Sequence, residues 1–426
     1  MQFSTDINKQ KQKVFFKTFG CRTNVFDTQV MMSNLQDFEV TTDEKKADIV
    51  VINSCTVTNS ADSTARGYIN QLNRLDKPPR VVFTGCGVWT KGEGLFNEKK
   101  VDSLFGHSEK EKINDLLKNE ERFFNAGDLE HIDDTIVEEF IGKSRAFIKI
   151  QEGCDFRCSY CIIPYVRGDA RSYQEDKILE QIEKLASNGF GEFILTGTNV
   201  GSYGKKQHTS LAKLLKKMSQ IKGVRRIRMG SIEPIQIDDE FKEIINEPFM
   251  AKHLHIALQH TSKDMLKIMN RRNKVLSDLE LFEFLSNNGY ALGTDFIVGH
   301  PGESEKLWKE AMENLHRFPL THVHAFTYSK RDGTPSATMK EEVRGDIAKQ
   351  RYNELVSIID NKNYEFRKNN KETLEVLIES QKNGKYIGLD QHFNSIELES
   401  EVDLVGDWVF IDKYEARTEK NVAKFR

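Results

Sequence analysis

Between residues 13 and 120, short runs of β-branched and aromatic residues alternate with longer amphipathic stretches. Val14–Phe19, Ile49–Ile52 and Val81–Phe83 read as buried strands. Asn24–Leu35, with Val30, Met31 and Leu35 on one side, and Ala61–Leu75 read as the intervening helices. The alternation predicts a doubly wound parallel sheet, an α/β arrangement whose ligands collect outside the carboxyl ends of the strands. A polar, acidic stretch over 114–143 reads as a linker. Beyond it six more strands are expected, at Ala146–Ile150, Glu192–Thr196, Arg226–Met229, His253–Ala257, Leu292–Val298 and His322–Thr327. Helical stretches such as Ile178–Ser187 and Leu211–Met218 lie between them. Six βα units predict a partial (β/α)6 barrel with its chemistry on the C-terminal loops. After a helix ending near Asn369 the pattern shortens to Leu374–Glu379, Tyr386–Leu389, Asn394–Leu398 and Asp407–Ile411, which predicts a small all-β barrel. Three domains are therefore expected, at 13–120, 140–369 and 371–426.

Cysteine placement changes the picture most. Cys154, Cys158 and Cys161 follow the first barrel strand with the spacing C-x3-C-x2-C, and Cys21, Cys55 and Cys86 each stand just past a predicted strand of the first domain. The six form two sets of three with none left over. Three thiolates can hold three irons of a cubane cluster and leave the fourth iron open. Structural zinc and inert buried thiols are the rival readings: zinc sites usually close with four ligands, and a lone cysteine is often a small core residue. Disulfides fit less well, because a chain of 426 residues needs no staples and its N-terminus is polar. No apolar stretch approaches membrane-spanning length, so a reducing cytoplasm is the expected compartment. Net charge is 62 − 65 = −3, so a polyanionic partner would need a local patch.

Together the cysteine sets resemble the radical S-adenosylmethionine (SAM) methylthiotransferase family. Cys154-x3-Cys158-x2-Cys161, with Tyr160 before the last cysteine, is similar to the radical SAM signature. Cys21, Cys55 and Cys86, with a C-terminal TRAM-like module, resemble the methylthiotransferase branch. Asn53-Ser-Cys-Thr-Val-Thr-Asn59, Ser231-Ile-Glu-Pro234 and Tyr328-Ser-Lys-Arg-Asp-Gly-Thr-Pro335 resemble the MtaB type. The resemblance implies two 4Fe–4S clusters, two SAM molecules per turnover, and methylthiolation of carbon 2 of N6-threonylcarbamoyladenosine at position 37 of tRNA. It further implies an anticodon-loop partner, a reductant such as flavodoxin or ferredoxin, and a cytoplasmic monomer.

By position, the same resemblance places SAM contacts at Tyr160, Thr196, Gly197, Thr198, Asn199, Glu233, Gln259, Phe296 and the following strand end at Gly299. Arg167, Arg171 and the Lys330–Gly333 segment are candidate partners for phosphate or a substrate carboxylate. The C-terminal segment 371–426 carries 8 Lys and Arg against 12 Asp and Glu, a net of −4, unlike an ordinary phosphate grip. His260-Thr261 and Asn273 also depart from the family pattern. The alternatives are methylthiolation of isopentenyladenosine or of a ribosomal protein aspartate, and, from another class, a non-catalytic metal-binding RNA module.

Overall fold

The computed structural model describes residues 11–140 and 143–425. The chain divides into two compact units, one of Met1–Val137 with Ile162–Asp169 and one of Glu138–Cys161 with Ala170–Arg426.

In the first unit, β1 (Lys13–Thr18), β2 (Glu39–Val40), β3 (Ile49–Ser54), β4 (Arg80–Gly85), β5 (Ser103–Phe105) and β6 (Phe124–Asn125) form one parallel sheet in the order β2-β1-β3-β4-β5-β6. All six residues of β3 are buried, as expected of a central strand covered on both faces. Val50 and Ile52 pack on one side with Ile69 and Leu72 of the helix Asn59–Leu72, while Ile49 and Val51 pack on the other with Met31 of the helix Arg22–Ser33. The segment expected to be a linker is more ordered than its composition suggests. It contains the helix Ile113–Lys118, whose Ile113 and Leu117 enter the core, and the edge strand β6. The short helix Ile163–Arg167 also belongs to this unit, although it follows the C-x3-C-x2-C loop in sequence.

The second unit begins with β7 (Ala146–Lys149), β8 (Gln151–Glu152), β9 (Arg171–Ser172), β10 (Glu192–Thr196), β11 (Arg226–Arg228), β12 (Ser231–Ile232), β13 (His253–Ile256), β14 (Ala291–Val298) and β15 (His322–Thr327). Strands β7, β10 and β11 pair in parallel, as do β12 to β15. A bridge between Ile227 and Met250 joins the two sets where the chain bends from β11 into β12. The result is the partial (β/α)6 barrel. Phe296 packs on Trp308 of the helix Glu305–Arg317, which marks the outer face of β14. Asp295 and Ile297, of opposite parity, therefore face inward.

After the helix Gly345–Asn369 come β16 (Leu374–Lys382), β17 (Lys385–Leu389), β18 (Ser395–Glu399), β19 (Trp408–Ile411), β20 (Glu415–Ala416) and β21 (Asn421–Lys424). They curl into an all-β half-barrel in the order β19-β16-β17-β18-β21-β20 around Val376, Ile378, Ile396, Leu398 and Val409. This module packs on the amino-terminal ends of the barrel strands. Phe393 stacks on His253 at 4.9 Å, and Arg228 lies over the same ring. Arg226 Nη1 donates to the Glu375 carbonyl at 2.7 Å and Arg228 Nη2 to that of Asp390 at 2.9 Å.

Both guanidiniums converge on Glu192, which is fully buried at the start of β10. Burial opposes its ionisation, but Arg228, Arg226 and Arg145 outweigh that cost and hold its carboxyl at about 2. Removing one partner of such a group leaves buried charge uncompensated, at a cost of about 3–5 kcal/mol. Glu192→Ala is therefore expected to lower the denaturation midpoint of the barrel unit strongly. Because the folded carboxyl lies below its ordinary value of 4.5, the Glu192 contribution is complete above that pH and is lost on acidification towards 2. Urea titrations at several pH values should show this loss in the native chain and its absence in Glu192→Gln.

Candidate functional site

In the first unit the three cysteines stand beyond the carboxyl ends of β1, β3 and β4, which are neighbours in the sheet. Cys55 and Cys86 directly follow their strands, whereas Cys21 stands at the N-cap position of the helix Arg22–Ser33, without a side-chain capping bond. Asn24 ties the turns after β1 and β3 together. Its Nδ2 donates to the carbonyls of Phe19 and Ser54, each at 2.9 Å, and its own carbonyl accepts from Asn53 Nδ2 at 2.9 Å. Ser54 Oγ donates to the Thr84 carbonyl and accepts from the Gly87 amide, fixing the Cys86 turn. Gly20, at φ 103°, permits the closest approach: a Cβ there would meet Cys55 Cβ at 2.4 Å and Sγ at 3.0 Å.

Arg167 completes this group. Its Nε donates to Cys86 Sγ at 3.1 Å, Nη1 to Asp27 Oδ2 at 2.9 Å and Nη2 to Asn24 Oδ1 at 2.8 Å, all in buried surroundings. Arg167 was expected as a phosphate or carboxylate contact, and the structure corrects that expectation. A guanidinium that is 1% exposed and spent on Asp27 and a sulfur serves to position Cys86. Burial, followed by the nearby Cys86 thiol, pushes the Cys55 thiol up to about 12, and burial raises Cys86 against the pull of Arg167.

In the second unit the C-x3-C-x2-C loop follows β7 and β8. Asn199 Nδ2 lies 3.5 Å from Cys154 Sγ, and Arg271 Nη1 lies 3.6 Å from Cys158 Sγ. Gln236 Nε2 holds Asn199 Oδ1 at 2.7 Å, and Gln151 Oε1 accepts from the Asn199 amide at 2.7 Å. Arg271 also pairs through both terminal nitrogens with Glu233. From behind, the Ser159 amide donates to the Met269 carbonyl at 3.0 Å, and the Ser159 carbonyl accepts from Ser336 at 2.8 Å. His300 Nε2 reaches Ser336 Oγ, which contacts Ser159 Oγ at 2.9 Å. Tyr160 turns into a pocket with Met265, Met269 and Ile297.

The remaining predicted positions divide into two groups. Thr196, Gly197, Thr198 and Asn199 lie at the end of β10 around the loop, with Thr198 Oγ1 donating to the Gly153 carbonyl at 2.6 Å. Gln259 has the rare φ of 66°, held by backbone bonds to Asp295 and Ile297, and Gly299 follows the end of β14. Glu233 already has Arg271 as its partner, and Phe296 is fully buried between His260 and Trp308, so its side chain packs the barrel. Arg171 sits in β9 opposite Glu152 of β8. Sequence reasoning missed Arg271, Gln151, Gln236 and Ser336, because each acts through contacts distant in sequence. The departure at His260 also has a structural use, since its Nε2 lies 3.2 Å from buried Glu303.

Both triplets are all-cysteine donor sets on strand-end loops, as an iron–sulfur cluster requires. All six cysteines are free, and three thiolates from each set suit three corners of a cubane, so the donor chemistry of both triplets fits such a cluster.

The close approach at Gly20 gives a direct test. Gly20→Ala combines a left-handed backbone with the Cys55 clash and is expected to cost about 1–3 kcal/mol. Less iron should be retained after anaerobic reconstitution. Gly94→Ala, where added bulk meets nothing within 4 Å, serves as the control and should leave iron content unchanged.

Two family profiles match the chain: Uncharacterized protein family UPF0004 over residues 13–106 and the Radical SAM superfamily over 148–315. A Helicobacter pylori (strain J99) chain named "Putative methylthiotransferase" is 54% identical over 419 residues, covering 97% of this chain and 100% of that one. The Aquifex aeolicus threonylcarbamoyladenosine tRNA methylthiotransferase MtaB is 35% identical, covering 84% and 90%. A tRNA-2-methylthio-N(6)-dimethylallyladenosine synthase of Caldicellulosiruptor saccharolyticus is 32% identical, covering 84% and 82%. Among solved structures, the radical SAM methyltransferase TsrM from Kitasatospora setae superposes with a TM-score of 0.60 at 14% identity, covering 77% of each chain, which is a likeness of fold. Family membership implies SAM and a 4Fe–4S cluster as cofactors. With its methylthiotransferase relatives matched over nearly the whole chain, this protein belongs to the radical SAM methylthiotransferase family.

Proposed function

We propose that this protein methylthiolates carbon 2 of N6-threonylcarbamoyladenosine at position 37 of tRNA, using two 4Fe–4S clusters and two molecules of SAM. The observation that carries the reading is the pairing of two separate all-cysteine triplets, each at strand carboxyl ends and each without a fourth cysteine. One triplet would serve radical generation and the other would carry sulfur. The substrate choice rests on the local strings Thr56–Asn59, Ser231–Pro234 and Tyr328–Pro335 together with the MtaB-named relatives. The dimethylallyladenosine synthase among the relatives supports isopentenyladenosine as the second reading.

When bound, the cluster and SAM supply a 5′-deoxyadenosyl radical able to attack an aromatic C–H bond, and the second cluster supplies an exchangeable sulfur site. The chain's own work is positioning. Asn199 and Arg271 would orient the sulfurs of Cys154 and Cys158, and the Ser159–Ser336–His300 chain would hold their loop rigid. Tyr160 would shield the loop from water on its apolar side. The Thr196–Asn199 turn, Glu233, Gln259 and the end of β14 would line the SAM site, and Arg271 would hold the Glu233 carboxylate in place. Arg167 would keep Cys86 directed towards the second cluster. A flavodoxin- or ferredoxin-type donor would supply electrons, the enzyme acting as a cytoplasmic monomer on an extruded anticodon-loop base.

Two measurements test the proposal. Anaerobic reconstitution should give about eight irons per chain. Replacing Cys154, Cys158 and Cys161 by Ala should leave about half and abolish 5′-deoxyadenosine formation, whereas replacing Cys21, Cys55 and Cys86 should spare SAM cleavage and eliminate product. Second, tRNA carrying threonylcarbamoyladenosine should be modified well ahead of unmodified or isopentenylated tRNA and of a ribosomal protein substrate. A preference for isopentenylated RNA would replace the substrate reading and leave the radical chemistry standing.

A further inference from the structure

Away from the cysteine loops, the inner face of the barrel gathers another set of ligating side chains. His255 of β13, Asp295 of β14 and His324 of β15 come from three adjacent parallel strands. Register places His324 directly beside Asp295 and places His255 beside Gly293, two residues earlier on the same face. A Cβ at Gly293 would lie 2.9 Å from His255 Nδ1 and 3.3 Å from both His253 Nε2 and His322 Cβ. Glycine thus leaves the room in which these imidazoles sit. His255 Nε2 lies 3.1 Å from Asp295 Oδ1, and His324 Nδ1 lies 3.6 Å from the same oxygen. One ligand atom from each residue falls within 4.8 Å of the others.

Two details distinguish this group from an ordinary ion pair. His255 Nε2 is buried and has no hydrogen-bond partner of proper geometry, although the Asp295 oxygen is close. Asp295 Oδ2 has Ser231 Oγ at 3.5 Å, while Oδ1 faces both rings. An anion entering here would meet the Asp295 carboxylate. A cation would meet one carboxylate oxygen and two imidazole nitrogens, with His324, 57% exposed, providing the way in.

We propose that His255, Asp295 and His324 bind one divalent first-row transition-metal ion on the inner face of the barrel. Two imidazoles and a carboxylate suit manganese, iron(II) or zinc and leave coordination positions open. The site would lie about 7 Å, or two residues along β14, from Ile297, which packs against Tyr160 of the cysteine loop. This inference does not depend on which tRNA base is modified, or on whether one is.

Manganese(II) alone is the probe, because it prefers nitrogen and oxygen donors to thiolates. The anaerobically reconstituted full-length protein would be titrated and free ion measured by electron paramagnetic resonance, with the cubane clusters kept in their EPR-silent oxidised form. One ion per chain is expected, with nitrogen hyperfine coupling from imidazole. Asp295→Asn and His324→Gln should each weaken binding at least about tenfold while iron content stays unchanged. The exposed His324 position guards against a trivial folding failure. Absence of stoichiometric binding in the native chain, or undiminished binding and nitrogen coupling in both variants, would overturn the assignment.

Discussion

Parallel strand pairing is the constraint from which the candidate chemistry follows. A parallel sheet sends every strand's carboxyl end to the same edge, so loops that leave neighbouring strands share one region of space. In the first unit β1, β3 and β4 are neighbours, and the turns after them carry Cys21, Cys55 and Cys86. In the barrel the same polarity brings the loop after β7 and β8, the turn after β10 and the segment after β12 together around Cys154 and Cys158. Strand polarity gathers the loops, and side chains such as Asn24, Arg167, Asn199 and Arg271 then fix the sulfurs within them. The half-barrel packs on the amino-terminal ends of the barrel strands and leaves the carboxyl ends to the loops.

Sulfur ligands impose a second requirement, because thiols pressed together in a buried site resist ionisation. The Cys55 thiol, pushed to about 12 chiefly by burial, illustrates the cost. Both sites answer with a guanidinium near a sulfur, Arg167 at Cys86 and Arg271 at Cys158, each neutralised by one carboxylate, Asp27 or Glu233. Such donors to a ligand sulfur also tune the potential of any cluster held there. The parallel is one of chemistry, since the two guanidiniums come from different elements.

The strands and the cysteines could be read from the sequence because each depends on local pattern. Glu192–Thr196 and His322–Thr327 have the predicted bounds, and the other four predicted barrel strands each differ by one residue at one end. Edge strands such as β2 and β6 were not foreseen, being two residues long and largely exposed. The guanidiniums were harder still. Arg167 looked like a surface candidate because its partner Asp27 lies 140 residues away, and Arg271 reaches Cys158 across 113 residues. Pattern along a chain reports which face a residue occupies, whereas a buried ion pair is decided by which elements later meet.

The four histidines of β13 and β15 show how such a meeting can be half visible. His253-Leu-His255 and His322-Val-His324 have period two, so each pair shares a face of its strand. Sequence alone cannot say that β14 runs between them, or that Gly293 and Asp295 occupy the matching inner positions. Once the register is known, the assignments differ sharply along that face. His253 and His322 pack with Phe393 at the end closed by the half-barrel, where burial lowers His322 to about 3 and keeps it neutral. One step towards the carboxyl ends, His255 and His324 have a carboxylate between them and solvent on one side. The same residue type thus serves packing at one level of the barrel and offers ligation at the next, and the difference comes from Asp295 and from distance to the half-barrel.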